Sequence, residues 1–585
     1  MKTTMNEQLQ DHHAPLFVGP KGEFADNLAS LWQHLLTTTM VRRGVRFSDD
    51  PSWQPANSGT DRQISITIEA ALAELLTLLK DEIPTFSPRY LGHMVSDISI
   101  PGLLGHVAML FENANLASRE AAMVASRLET EAINLLADMV GLAPTPTRGH
   151  FTSGGTMANF EAVWRARYRL DHWLAMAGFM RAEGLSSESM MNLAHCGWSR
   201  YAALKTQAGF TDEDLAPYSA VLQGPLAVDR RLREKIGETW PEPVILVPGN
   251  KHYSWPKAAN VFGMGAGAVW PCALDAQGRM NPASVAEQID RAIKNNRPVM
   301  MVVSVAGTTE LGMIDPVDEV NAILNEYREQ RGLHIWHHVD AAYGGYLCST
   351  LRGDSGSCVL SAKAQRALQA LKDANSLTLD PHKLGFVPYA CGAFLVPDAT
   401  SYSVSSIHAP YLEEAKNVQF PGWSTTLEGS RAATGPSAVW LSAKVMPLTA
   451  QGHGAFLNRC LQVARQIYQQ LAHGPSRIRL LPIGDTNVIC FAIADDQDSV
   501  RQANERTESL LSYMKSSPEL SVTRTHLGMN NYCDLITACI EQWQGYVDDD
   551  HLTVVRMVVM NPYLDDQKIV EYITDTLLRC LQEAL

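Results

Sequence analysis

The sequence predicts an α/β protein: a large domain on a mostly parallel sheet, a smaller α+β domain after it and a helical arm before it. Apolar runs of the buried-strand type alternate with helical segments through the middle of the chain, the pattern of a parallel sheet covered on both faces. The residues best suited to chemistry fall where those runs end, the edge at which such sheets bind ligands. A length of 585 residues is enough for two or three domains.

In chain order, residues 1–95 read as an arm. It has a polar start, a helical segment near Ile66–Leu79 and the proline-rich Ile83-Pro84-Thr85-Phe86-Ser87-Pro88, and is expected to pack on another surface, such as a second subunit. Residues 96–400 form the large domain. Leu128, Ala132, Leu135 and Met139 recur at helical spacing, and Gly141 with Pro144 ends that helix. Strands are expected at Val244–Pro248, Val299–Val305, Ile335–Asp340, Leu377–Leu379 and Ala393–Val396. The stretch from Leu170 to Trp240 is long for one crossover and reads as a helical insertion. Residues 401–438 connect to a C-terminal domain, 439–585. That domain should hold helices near Val439–Val445 and Ala455–Leu471, a strand at Val488–Ile493 and a helical end from Asp565 to Leu585.

Hydrophobic residues make up 46% and charged residues 19% of the chain, as in soluble globular proteins. A net charge of −14 argues against nucleic-acid binding, which needs a basic face. No apolar run reaches the ~18 residues of a membrane span, and Met1 to Pro15 lack the apolar centre of a secretory signal. The ten cysteines are scattered, with no C-x-x-C pair and no zinc spacing. They read as buried thiols in a reducing cytoplasm, with no metal site expected.

The most telling stretch is Ser376 to Pro388. Apolar Leu377 to Leu379 runs into Asp380-Pro381-His382, which hands over Lys383, with Gly385 and Pro388 following. A lysine on a rigid turn after a buried strand is placed to react, and burial with neighbouring cations can lower its pKa enough to make the amine a nucleophile. Three other segments suit the same chemistry. Phe151-Thr152-Ser153-Gly154-Gly155-Thr156 opens a helical run and would present free N–H groups and a positive dipole end to a phosphate, although a glycine pair alone is equally an ordinary capped turn. His337-His338-Val339-Asp340-Ala341-Ala342 ends a strand on an acid; a buried acid needs a cationic or hydrogen-bonding partner, and a protonated pyridine would serve, with Ala342 leaving room for a flat ring. His252, in Asn250-Lys251-His252-Tyr253-Ser254-Trp255, could stack on that ring. His337 and His338 read as structural.

On these segments the chain resembles the group II pyridoxal-phosphate-dependent amino-acid decarboxylases of fold type I, from about Ser87 to Thr449. Within that family it is most similar to bacterial tyrosine decarboxylases, through Arg89-Tyr90-Leu91-Gly92-His93-Met94, Lys251-His252-Tyr253-Ser254-Trp255 and Leu427-Glu428-Gly429-Ser430-Arg431-Ala432. The resemblance implies a seven-stranded, mostly parallel sheet, pyridoxal 5'-phosphate as cofactor and a homodimer acting on a small-molecule amino acid. It implies that Lys383 is the Schiff-base lysine, Asp340 pairs with the pyridine nitrogen, and His252 and Ala342 cover the two ring faces. Gly154, Gly155, Thr156 and His382 would hold the phosphate, and Thr308 would lie near the ring and the substrate carboxylate. Tyr90 and His93, with Met94 and Phe111, would line the substrate side and favour an aromatic substrate.

The chain also departs from the family. Many members have asparagine where this one has Asp380, an acid expected to face away from the phosphate or to cap the turn. Some relatives have a proton-donating loop tyrosine where this chain has Phe420-Pro421-Gly422-Trp423, with Tyr411 further back. Tyr389 is then the other candidate donor. Arg431 can be structural. Decarboxylation of tyrosine is the reading reached; the alternatives are an aspartate or glutamate decarboxylase, or an aldehyde-forming oxidative deaminase.

Overall fold

A computed structural model of the chain describes residues 13–51, 58–353, 358–407, 422–516, 519–564 and 567–584. Seven strands form the large sheet: β1 (Arg148–Thr152), β2 (Val244–Pro248), β3 (Val269–Cys272), β4 (Val299–Val305), β5 (Trp336–Asp340), β6 (Ser376–Leu379) and β7 (Gly392–Val396). Their spatial order is β1-β7-β6-β5-β4-β2-β3. From β3 to β6 every neighbouring pair is parallel; β7 alone runs the other way, antiparallel to both β6 and β1. All residues of β2, β4, β5, β6 and β7 are buried. Helices cover both faces, which is why these strands read as unbroken apolar runs rather than alternating ones.

The five expected strands form at or within one residue of their expected bounds, whereas β1 and β3 went unseen. β1 is Arg-Gly-His-Phe-Thr, too polar to announce itself; its residues are held by pairing with β7. β3, Val-Trp-Pro-Cys, contains Pro271, which a sheet tolerates only at an edge, where β3 lies. The expected helices form at Met123–Met139, Thr434–Val445 and His453–Ala472. The stretch after Leu170 is mainly helical: the 28-residue helix Gly155–Ala182 is followed by shorter helices ending with Pro225–Ile236. Tyr218 and Leu232 pack against its Gly178.

A second sheet holds β8 (Ile478–Leu480), β9 (Val488–Ile493), β10 (Thr523–Gly528) and β11 (His551–Val558) in the order β10-β11-β9-β8, antiparallel throughout. Helices His453–Ala472, Val500–Ser516 and Gln567–Ala584 share one apolar cluster with it. The arm contributes helices Ala25–Arg46 and Ser58–Leu78. On the latter, Ile64, Ile68, Leu72, Leu75 and Leu78 are exposed. Among the described residues, no helix is long and apolar enough to cross a membrane.

Two buried ion pairs fix the segment after Gly422 to the large sheet. Arg431 pairs with Glu129 and donates to the carbonyls of Phe151 (3.1 Å) and Leu116 (3.2 Å), while Glu129 Oε1 accepts from the Phe151 amide at 2.9 Å. Arg431 is thus bound into the structure through both terminal guanidinium nitrogens. Glu161, paired with Arg165, accepts from the Leu427 amide at 2.7 Å, and Arg165 donates to Thr425 O. Removing one partner of such a pair strands the other charge without water. Glu129→Ala is therefore expected to destabilise the fold by about 3–5 kcal/mol, seen as a clear fall in melting temperature; an unchanged melting curve would show that Arg431 finds solvent.

Candidate active site

Parallel pairing sets Asp340 of β5 opposite Thr378 of β6, so the turns leaving both strands open at the same edge of the sheet. The β6 turn is tight: the Lys383 amide donates to Asp380 O at 2.9 Å, and the His382 amide reaches Cys391 O at 3.3 Å. A cavity of about 360 Å³ lies at this edge, at the lower end of the roughly 300–1,000 Å³ usual for small-molecule sites. Gly154, Gly155, Thr156, His252, Asp340, Ala342, His382, Lys383 and Tyr389 all line it. Four separate segments, spread over more than two hundred residues, are brought together.

Asp340 is 5% exposed. Its Oδ2 accepts from Asn159 Nδ2 at 2.8 Å and its Oδ1 from the Ala342 amide at 3.3 Å. Asn159 sits one turn into the helix that begins at Gly155. The same Nδ2 donates to Ser254 Oγ (2.9 Å), which is 2.9 Å from His252 Nδ1; Asn159 Oδ1 accepts from Thr378 Oγ1 at 2.8 Å. Asn159 thus joins the acid, the histidine and β6 through one amide. Sequence reasoning missed it: the same helix carries Glu161 and Arg165, so a further polar residue in it gave no signal. Burial holds the His252 pKa below its usual value, although Asp340 pulls the other way, so the ring is neutral at pH 7. His337 and His338 are structural: buried and hydrogen-bonded to Ser304 and Asn321, and to Ser376, respectively, with both pKa values pushed down to about 3 by burial.

Lys383 corrects one part of the sequence argument. Cations were expected beside it, but its neighbours are carboxylates: Nζ lies 3.0 Å from Asp380 Oδ2. Burial pulls the lysine pKa down, yet Asp380 and Asp340 outweigh it and hold the ammonium above its ordinary value. Asp380 is the second correction. It is 3% exposed and turns inward, where a Cβ added to Gly155 would sit 2.6 Å from its Oδ2. The tight turn that presents Lys383 points both side chains into the same space.

The long helix begins at this point. The Met157 and Ala158 amides bond to Gly154 O, and a helix start leaves its first N–H groups without intrahelical partners. The Gly155 and Thr156 amides are those groups, at the positive end of the helix dipole. His382 is fixed by its Nδ1, 2.6 Å from Cys391 O, and its ring lies 4.2 Å from that of Tyr389. Burial raises the Tyr389 pKa, with Lys383 opposing and Asp380 adding to the rise, so the phenol keeps its proton at neutral pH. Tyr411 and Phe420 lie outside the described residues.

Thr308 is placed differently from the expectation. It is fully buried and its hydroxyl accepts from the Met313 amide at 3.0 Å; Gly307 and Thr309 face the cavity instead. Tyr90 and His93 are not in the wall. Tyr90 is buried, with its hydroxyl 3.2 Å from the His93 amide, and lies within electrostatic reach of Tyr389. Beside Tyr90 is Arg556, buried on β11, donating to Gly92 O at 3.2 Å and electrostatically coupled to Glu310 and Tyr90. Among the described residues its Nε has no hydrogen-bond partner. Arg556 was also missed, although an arginine inside Val554-Val555-Arg556-Met557-Val558 is a visible anomaly.

A free helix start, an acid anchored by an amide, a small residue and a lysine around one compact cavity match the parts of pyridoxal phosphate: phosphate, ring nitrogen, ring face and aldehyde. The family model described as the pyridoxal-dependent decarboxylase conserved domain matches residues 225–494. The chain carries the conserved domain of the pyridoxal-dependent decarboxylases. Its cofactor is pyridoxal phosphate and its reaction class is carboxy-lyase. Among curated relatives, it is 27% identical over 543 residues to the L-tyrosine decarboxylase of Enterococcus faecium, covering 85% of each chain. It is 26% identical over 617 residues to that of Levilactobacillus brevis, covering 97% of this chain and 96% of the relative. Among solved structures, mouse CSAD in apo form aligns over 92% of this decarboxylase and 91% of its own chain, with a TM-score of 0.65 at 19% identity, a likeness of fold that agrees with the fold type I architecture.

The Gly155 contact gives a direct check on the decarboxylase. Gly155→Ala drives a methyl into Asp380 and should weaken cofactor retention at least tenfold, read as loss of cofactor absorbance after dialysis, with little change in melting temperature of the apoprotein. Retention equal to wild type would show that the cradle is looser than drawn.

Proposed function

We infer that this decarboxylase acts on an aromatic L-amino acid, tyrosine foremost, releasing its amine and carbon dioxide, and that Lys383 carries the cofactor. The observation that supports the site assignment best is that Lys383, Asp340 and the helix start at Gly155 open on one cavity. Bound there, pyridoxal phosphate supplies an aldehyde that condenses with amines and an electron-poor ring that accepts the electron pair left by departing carbon dioxide.

The chain's own residues do the rest. The Gly154–Thr156 amides would hold the phosphate, with His382 beside them, its Nδ1 spent on Cys391 O. Asp340, kept in place by Asn159, keeps a proton on the ring nitrogen through a charge-assisted bond. His252, neutral and tied to Ser254, covers one ring face, and Ala342 leaves the other clear. Lys383 Nζ would hold the cofactor's aldehyde carbon. Tyr389, still protonated at neutral pH and near Lys383, donates the proton that replaces the carboxylate.

Among the described residues lining the cavity, Lys383 is the only lysine or arginine, so no second cation is there for the second carboxylate of a dicarboxylic substrate, which favours an aromatic one. The full-length likeness to bacterial L-tyrosine decarboxylases points the same way. The exposed apolar face of Ser58–Leu78 fits a second copy of the chain, giving a homodimer. The free thiols, nearly all buried or half-buried, fit a cytoplasmic enzyme.

Incubation with L-tyrosine should release carbon dioxide and tyramine in equal amounts; aldehyde and peroxide in their place would overturn the assignment. Lys383→Ala should lose the visible cofactor band and fall by several orders of magnitude in turnover, whereas normal absorbance and activity in that variant would refute its role. Because the Tyr389 proton is held above its usual pKa of about 10, the donor should be lost only as pH rises beyond that value. Tyr389→Phe should be slow at every pH and lack this alkaline limb in a turnover profile.

A further inference from the structure

Asp380 is left without a task by that reading, yet it lies against the helix start given to the phosphate. Its Oδ2 is 3.0 Å from Lys383 Nζ and 3.7 Å from His382 Nε2, and its Oδ1 is buried with no hydrogen-bond partner among the described residues. A phosphate ester carries −1.5 to −2 charges near pH 7. Two such anions cannot share a desolvated cradle unless a cation or a proton lies between them. Lys383 is the cation now, but once its nitrogen holds the aldehyde carbon it no longer serves as a free ammonium beside Asp380. This rests on the roles assigned above to Lys383 and the helix start.

We propose that Asp380 and the cofactor phosphate share one proton when the cofactor is seated. The Asp380 carboxylate takes a proton from solvent and donates it as O–H to a phosphate oxygen; no bond to phosphorus is made or broken. Loading therefore consumes a proton, and the enzyme holds its cofactor less tightly as pH rises. The other groups facing Asp380 do not replace that proton. His382 has its Nδ1 committed to Cys391 O, and its pKa is lowered by burial against the opposing pull of Asp380. His252 is neutral and lies across the cavity. Tyr389 and the Cys391 thiol are held protonated by burial. Asp340, beyond Lys383, and Glu428, whose carboxylate accepts from the Ser153 amide at 3.2 Å, only add negative charge. An asparagine at 380 would supply an N–H donor with no proton taken up.

The test is calorimetric titration of full-length apoprotein with pyridoxal 5'-phosphate at pH 8, in two buffers of different ionisation enthalpy, to count protons taken up. Wild type should take up about one proton more than Asp380→Asn, and its affinity should fall about tenfold more steeply per pH unit. With pyridoxal, which lacks the phosphate, the two proteins should give equal counts. Equal counts with pyridoxal phosphate would overturn the proposal. If the asparagine variant fails to fold, wild type alone decides: it should take up about one proton more with pyridoxal phosphate than with pyridoxal, and no difference would sink the idea. The Lys383→Ala spectrum separates the two readings. A wild-type visible band in that variant removes the site assignment itself, whereas loss of the band with equal proton counts removes only the shared proton.

Discussion

A carboxylate buried at the carboxyl edge of a parallel sheet is the constraint around which this molecule is arranged. Asp340 is almost wholly removed from water, and an anion so placed is tolerated only with close partners. It receives the Asn159 amide and a backbone N–H from its own turn. Asn159 in turn is fixed by Thr378 on the next strand and by Ser254 at the start of another helix. The position of one acid therefore depends on the register of β5 against β6, on the pitch of the long helix and on the loop that carries His252. A shift in any of these would open a hydrogen bond in a region without water to replace it.

The same edge governs the lysine. Burial alone would favour a neutral amine, but two carboxylates beside Lys383 reverse that preference. The ammonium is a structural partner of Asp380. Its reactivity thus depends on how the surrounding charges rearrange when an anionic, aldehyde-bearing ligand enters, rather than on a permanently lowered pKa. That is a different way of preparing a lysine from the one its sequence context suggested, where the flanking turn gives no hint of which charges will face it.

Legibility followed the physics of each element. Strands buried on both faces are continuous apolar runs, so β2, β4, β5, β6 and β7 could be read directly, and the residues ending them could be read as site candidates. β1 and β3 could not, because an arginine, a histidine and a proline become strand residues only when a neighbouring strand accepts them. Lys383, Asp340 and the Gly154–Thr156 turn were visible because each ends or begins a regular element. Asn159 was hidden because nothing local distinguishes a polar residue that points into a site from one that points to solvent. Thr308 shows the converse: its Gly-Thr turn was suggestive, yet its hydroxyl closes its own loop and its neighbours face the cavity.

The sequence by itself determined the class of fold and singled out the sheet edge and the lysine to which the chemistry is here assigned, because hydrophobic periodicity and turn chemistry are local properties. Only the tertiary structure decided which charges surround that lysine, that Asp380 turns inward and that one asparagine couples acid to histidine. These depend on through-space distances of about 3 Å between segments far apart in the chain, and no local pattern encodes such distances.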